Sequence, residues 1–80
     1  LDLILAEGFK HESIPKIELY RPSLGRPLIH AADPNVIAVA ADARFPLARD
    51  LPVLDLNRPE EILGFVLAWL SDRRALAAAG

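Results

Sequence analysis

The 80-residue sequence contains no cysteine, so neither a disulfide framework nor a thiolate metal site is available to it. It also lacks a basic excess. The formal net charge is −2, whereas a dedicated nucleic-acid binder normally carries clustered Lys and Arg. No apolar run approaches the ~20 residues that span a bilayer. We therefore expect neither nucleic acid nor membrane as a partner, and the absence of cysteine is typical of a protein from the reducing cytoplasm.

Several catalytic patterns are absent as well. There is no G-x-x-x-x-G-K-[ST] phosphate loop, and no Ser–His–Asp or Cys–His arrangement can be assembled. The two histidines, His11 and His30, are far apart in sequence and lack supporting ligands for a metal site. A stand-alone enzyme is therefore disfavoured.

The beginning of the chain is also unusual. "LDLILAEG" has neither an initiator methionine nor a basic segment, and Asp2 and Glu7 interrupt its apolar run, so it is not a signal peptide. Hydrophobic residues make up 52% of the chain, which is high for so small a soluble domain. Both features predict a fragment or processed chain whose apolar surface is covered by a partner subunit or a missing half.

Four short segments have strand patterns. The nearly continuous apolar runs Leu1 to Ala6 and Val36 to Ala41 predict strands that are buried on both faces, as in a parallel sheet. Lys16 to Tyr20 alternates apolar and polar residues, which predicts a strand with one wet face near the edge of the sheet. A further short strand is expected around Val53 to Leu56.

The last segment predicts a helix. Asn57 can cap it, Pro59 suits its first turn, and Glu60 occupies the position from which a capping-box acid reaches back. One apolar face has helical spacing and consists of Ile62, Phe65, Val66, Trp69 and Leu70. We expect this helix to run to about Arg74. The fold class is therefore α/β, a mostly parallel sheet with a carboxyl-terminal helix, and one helix leaves that architecture incomplete.

A carboxylate and a glycine follow the first predicted strand. In open α/β sheets, ligands bind beyond the carboxyl ends of the strands. Glu7 can hold Mg²⁺ there, directly or through its waters, when phosphates supply the other ligands. Gly8 lets the backbone pass close to a phosphate, and Lys10 offers positive charge to the same anion. The alternative is that Glu7 and Gly8 simply end a strand in a solvated turn.

Asp42 follows the other fully apolar run. Its carboxylate can accept two hydrogen bonds, and guanine presents a matching pair of donors on its ring N–H and exocyclic amine. Adenine lacks that pair. The alternative for Asp42 is a capping or turn aspartate.

These segments together resemble a known family. "DLILAEGFKHE", "IPKIEL", "DPNVIAVAAD" and "LPVLDLNRPEEILGFVLAWL" are similar, in this order, to the MobB family of molybdopterin-guanine dinucleotide biosynthesis adaptor proteins. The resemblance covers nearly the whole chain, and its most specific part is the E-G-F-K-H run together with P-K-I-E. That family is similar to P-loop GTPases, so residues 1–80 are expected to form the carboxyl-terminal half of one such domain, without its phosphate-loop unit.

The resemblance also implies a site. GTP and Mg²⁺ would lie at the carboxyl edge of the sheet, with Glu7 as the acid that binds Mg²⁺ or organises its waters. Gly8 and Lys10 would contribute to the same nucleotide site, and Asp42 would read the base. Ala41 departs from the family pattern, because relatives often carry Ser or Thr there, and this removes a possible hydroxyl contact.

The function implied by the resemblance is support of a guanylyltransferase that joins GMP to molybdopterin, in a cytoplasmic homodimer with weak GTPase character. The resemblance leaves open whether molybdopterin itself contacts this half. We expect no activity from these residues alone. The alternative function is a non-catalytic module whose apolar helix and edge strand mediate dimerisation.

The apolar excess and the single predicted helix generate a testable expectation. Residues 1–80 alone should self-associate or be poorly soluble, because two buried strands would lack covering helices. Sedimentation measures this directly. A well-behaved monomer with a sharp thermal transition would contradict the interpretation as half of a domain.

Overall fold

The computed structural model describes residues 3–6, 13–22, 33–47 and 49–79. The described elements are β1 (Ile4–Ala6), β2 (Lys16–Tyr20), β3 (Val36–Ala41), β4 (Val53–Asp55) and α1 (Pro59–Ala79). The strands form one sheet in the order β1-β2-β3-β4, and every neighbouring pair is parallel. This confirms the predicted α/β class with a parallel sheet and a carboxyl-terminal helix.

The prediction that β2 has a wet face near the edge of the sheet is wrong. β2 lies between β1 and β3, and its two charged residues, Lys16 and Glu18, are only 0% and 2% exposed. Polar alternation suggested a solvated face, but in this sheet both faces of β2 are covered. Burial of a charged side chain is tolerated when it is paired, and Lys16 meets that condition.

The expectation that the first strand is buried on both faces is also wrong for the described sheet. β1 is its outer strand, and Leu5 is 55% exposed. α1 has its main strand contacts with β4, at the other side of the sheet. The apolar run in β1 therefore has an uncovered residue on its surface.

The predicted inner face of α1 is confirmed where it meets the sheet. Ile62, Phe65 and Val66 pack on a buried cluster that comprises Ile17, Ala38, Ala40 and Leu54. The helix continues to Ala79, beyond the predicted end near Arg74, because alanine is the strongest helix former. Within the described residues, no helix is both long and apolar enough to cross a membrane.

The start of α1 differs in detail from the capping prediction. The helix begins at Pro59, and the carbonyl of Arg58 accepts a hydrogen bond from the amide of Glu61 at 2.9 Å. Glu61, rather than Glu60, reaches back, and its Oε1 accepts a hydrogen bond from the Asp55 amide at 3.3 Å. Glu60 instead accepts a bond from the side chain of Arg58. These contacts anchor the helix to the end of β4.

A cluster of charged groups, Lys16, Asp33 and Arg49, closes the amino edge of the sheet. The Nζ of Lys16 lies 2.8 Å from Oδ2 of Asp33, and Arg49 donates to the carbonyls of Asp33 and Val36 at 2.9 and 2.8 Å. Oδ1 of Asp33 accepts the amide hydrogen of Asn35 at 2.9 Å. The hydrogen bond from Lys16 lowers the pKa of Asp33, against the opposing effect of burial. This cluster ties the start of β2 to the turn before β3.

The cluster predicts an acid-sensitive component of stability. Because the folded pKa of Asp33 lies below its ordinary value of 3.8, its contribution is fully present above that pH and is lost as the pH falls through the lowered pKa. Asp33→Asn in the complete protein should remove this component and lower the free energy of unfolding at neutral pH by about 3 kcal/mol, because the buried Lys16 ammonium loses its carboxylate. Thermal unfolding between pH 7 and pH 2.5 measures both effects.

The matched control is Asp50→Asn, which removes an exposed carboxylate from the same part of the chain. This variant should unfold like the parent at every pH. An unchanged acid dependence in Asp33→Asn would show that the ion pair with Lys16 does not stabilise the fold.

Candidate functional site

The carboxyl ends of the four strands meet at one edge of the sheet because all of the strands are parallel. β2, β3 and β4 end in register, since Tyr20 pairs with Ala41 and Ala41 pairs with Asp55. β1 ends at the buried Ala6, which pairs with Glu18. This edge is where open α/β sheets bind ligands.

Asp42 is held at this edge by the backbone on both sides. Its own amide donates to the Tyr20 carbonyl at 3.3 Å, and the Ala41 carbonyl accepts from the Leu56 amide at 2.9 Å. β3 is therefore fixed between β2 and β4 up to the residue that carries the carboxylate. The backbone of Asp42 therefore has less freedom to move away from the edge than that of a loop residue.

The carboxylate of Asp42 is not satisfied by the described residues. Its Oδ1 is buried, and no described residue donates a hydrogen bond to it. A buried acceptor without a partner costs about 1–3 kcal/mol, so such groups are rare and require an explanation. Since the Cβ–Cγ torsion of an aspartate has broad preferences, the carboxylate can turn to present either oxygen to a donor. Asp42 thus has a capacity to accept hydrogen bonds that the described residues do not use.

A cavity of about 500 Å³ lies beside Asp42. This volume falls within the roughly 300–1,000 Å³ of small-molecule sites. The described residues that line it come from the end of β3, the connection to β4, β4 itself and the first turn of α1: Ala41, Asp42, Ala43, Arg44, Phe45, Leu47, Val53, Leu54, Asp55 and Glu61. We call it the Asp42 cavity.

The walls of the Asp42 cavity are largely apolar. Phe45 is half-buried and packs edge-on against Tyr20, with ring centroids 5.1 Å apart and an interplanar angle of 73°. Leu47 and Val53 are exposed apolar side chains on the same cavity. Such walls favour the flat faces of an aromatic ring.

The charged groups at the Asp42 cavity are mostly acidic. Asp42, Asp55 and Glu61 line it, against the single described cation Arg44. Asp55 and Glu61 already accept backbone hydrogen bonds, from Asn57 at 2.9 Å and from Asp55 itself at 3.3 Å. This distribution suits the hydrogen-bond donors of a heterocycle better than it suits a phosphate.

Only part of the predicted site can be compared with the structure. Asp42 lies at the carboxyl edge as predicted, whereas Glu7, Gly8 and Lys10 lie outside the described residues. In the described part of the chain, no group of three His, Cys, Asp or Glu residues could hold a metal ion. The assignment of Mg²⁺ to Glu7 therefore stays a prediction.

The sequence interpretation missed the cavity walls. The connector "ARFPLARD" has no regular strand or helix pattern, yet it supplies Arg44, Phe45 and Leu47 to the Asp42 cavity. A signal was present, because Phe45 and Leu47 are large apolar residues in a connector that directly follows an aspartate at the end of a strand. Apolar residues in such a loop indicate either a core contact or a ligand contact. The structure shows that Phe45 makes a core contact and also lines the cavity.

Comparison with known proteins identifies the family of the chain. The family model for "Molybdopterin guanine dinucleotide synthesis protein B" matches residues 1–42. The chain belongs to the MobB family. This confirms the resemblance that its sequence segments indicated.

Two curated relatives extend the match along the chain. The chain is 51% identical over 71 residues to the molybdopterin-guanine dinucleotide biosynthesis adapter protein of Escherichia coli, and 46% identical over 69 residues to that of Haemophilus influenzae. These alignments cover 88% and 86% of this chain but only 39% and 37% of the relatives. The chain thus spans about two fifths of the length of these relatives. No solved structure matches it significantly.

Proposed function

We propose that this chain is the nucleotide-binding half of an adapter for molybdopterin-guanine dinucleotide synthesis. In this proposal it binds GTP and supports a guanylyltransferase that joins GMP to molybdopterin. The names of the relatives support the adapter role, and the unsatisfied Asp42 carboxylate beside a cavity supports the nucleotide site. The Asp42 carboxylate and its cavity carry the proposal, because they are features of this chain itself.

The hydrogen-bonding pattern of Asp42 favours guanine over adenine. A carboxylate is an acceptor on both oxygens, so its best partner is a ligand edge with two neighbouring N–H donors. Guanine has that edge at its ring N–H and 2-amino group. Adenine places a ring nitrogen acceptor beside its amine, and this acceptor would face a carboxylate oxygen. Phe45 provides an apolar surface for the face of the base.

The phosphate side of the site is assigned to the segment that follows β1. β1 ends at the buried Ala6, and Glu7 and Gly8 are the next residues in the sequence. Bound Mg²⁺ would supply the charge that neutralises the nucleotide phosphates, and a carboxylate is the side chain that this hard cation prefers. Glu7 would hold the ion directly or through water, and Lys10 would add positive charge for the same phosphates.

A second function is compatible with the first, namely dimerisation through α1. Leu63 and Leu67, one helical turn apart on α1, are each 58% exposed. Apolar residues exposed together on a helix mark contact surfaces more often than isolated ones do. We include a cytoplasmic homodimer in the proposal on this ground and on the absence of cysteine.

The assignment of Asp42 to the base site predicts a change in nucleotide selectivity. In the complete protein, Asp42→Asn should weaken GTP binding by about 10- to 100-fold, because an amide nitrogen would face a donor and a charge-assisted hydrogen bond worth roughly 1.5–3 kcal/mol is lost. The weaker binding of ATP should hardly change. Calorimetric titration with both nucleotides measures the difference.

Asp50→Asn is the matched control for this experiment. It makes the same chemical change in an exposed carboxylate outside the Asp42 cavity, so GTP affinity should equal that of the parent. Equal losses for GTP and ATP in Asp42→Asn, or no loss for either, would remove Asp42 from the base site.

The assignment of Glu7 predicts a change in magnesium dependence. Glu7→Gln in the complete protein should weaken Mg²⁺-dependent GTP turnover more than Mg²⁺-independent GDP binding, because an amide is a poorer ligand for a hard cation. The substitution is nearly isosteric, so the fold should be unchanged. A titration of GTP hydrolysis against Mg²⁺ tests this, with the exposed Glu60→Gln as control. If Glu7→Gln and its parent have the same magnesium curve, Glu7 has no role at the metal.

A further inference from the structure

The unsatisfied carboxylate of Asp42 selects a pattern of donors rather than one particular base. The pattern that suits it is two N–H groups side by side on one ring. In guanine, these groups belong to a 2-amino-4-oxopyrimidine ring. Pterin contains the same ring, with the same ring N–H and the same 2-amino group, fused to a pyrazine instead of an imidazole. Asp42 would therefore accept the same two hydrogen bonds from either ligand.

We propose that the Asp42 cavity recognises the 2-amino-4-oxopyrimidine edge, so that it accepts a pterin ring as well as guanine. This inference rests on the proposed function, because it uses the same carboxylate and the same cavity. It extends that function by assigning a second class of ligand, a pterin, to a site otherwise expected to hold only a purine.

The walls of the cavity do not discriminate between guanine and pterin. Phe45, Leu47 and Val53 offer apolar contact to the face of a ring, and such contact is insensitive to the pattern of ring nitrogens. The second rings of guanine and pterin differ by one atom in size. A cavity of about 500 Å³ has room for either fused system.

The remaining charges around the cavity are also compatible with both ligands. Each ring carries an oxo group, which accepts hydrogen bonds, and Arg44 is the one cation among the described lining residues. Asp55 and Glu61 add negative charge to the same lining, which disfavours a phosphate within the cavity. The heterocycle of either ligand therefore fits the cavity better than a phosphate tail does.

The shared edge has a direct consequence for binding. A guanine and a pterin that use the same carboxylate cannot occupy the cavity together. The two ligands should therefore compete, and removal of the 2-amino group should weaken each of them. This behaviour distinguishes one shared site from two separate ones.

Two matched pairs of small molecules test the proposal on the complete protein. Guanosine and its analogue inosine differ by the 2-amino group, and pterin differs from lumazine by replacement of that group with an oxo oxygen. Equilibrium dialysis should show that guanosine and pterin bind and displace one another. Inosine and lumazine should each bind about 10-fold or more weakly, because a hydrogen bond to a charged group is lost. These comparisons need no protein variant.

Protein variants then assign the binding to the cavity. Asp42→Asn should weaken guanosine and pterin alike, by about 10- to 100-fold. Phe45→Leu, which keeps an apolar side chain but removes the flat ring, should weaken both to a smaller extent. The control Asp50→Asn should weaken neither. Circular dichroism and thermal unfolding show whether each variant keeps the fold.

The outcomes separate this inference from the proposed function. Guanosine binding that depends on Asp42, without pterin binding, overturns the inference and leaves the proposed function standing. Pterin binding without guanosine binding overturns both the shared edge and the guanine site. Pterin binding that guanosine does not displace, or that Asp42→Asn leaves unchanged, places pterin elsewhere and overturns the inference.

Discussion

Parallel pairing of the four strands is the constraint on which the rest of the structure depends. It directs all carboxyl ends to one edge, so residues that are distant in sequence, such as Tyr20, Asp42 and Asp55, become neighbours there. It also requires cover for both faces of the inner strands. The first effect produces the Asp42 cavity. The need to cover both faces explains why the charged residues of β2 are buried. Because the chain has one described helix, this cover is incomplete and Leu5 is exposed.

Much of the fold could be predicted because its signals are local. The bounds of β2 and β3 follow from short apolar or alternating runs, and the inner face of α1 follows from helical spacing at Ile62, Phe65 and Val66. The burial of Lys16 could not be predicted, because its partner Asp33 lies in a turn that only the folded sheet brings near. Strand order is a property of the whole sheet, and a strand pattern alone does not contain it.

Only part of the candidate site could be predicted from the sequence, for a similar reason. The position of Asp42 follows from one rule, that a polar residue after a buried parallel strand lies at the ligand-binding edge. The role of Phe45 depends on how the connection to β4 folds back over that edge, and its ring is held by Tyr20 and by the cluster of Ala6, Val36 and Val39. A loop has no periodicity from which such packing can be read.

The two aspartates that flank β3 differ in whether the described residues satisfy their carboxylates. Asp33, before the strand, has an ion pair with Lys16 and a hydrogen bond from Asn35, which together hold the turn. Asp42, after the strand, has a buried oxygen to which no described residue donates. A satisfied carboxylate stabilises the fold and gains nothing from a ligand. An unsatisfied one costs the fold free energy that only a donor can recover, so Asp42 is the better candidate for binding.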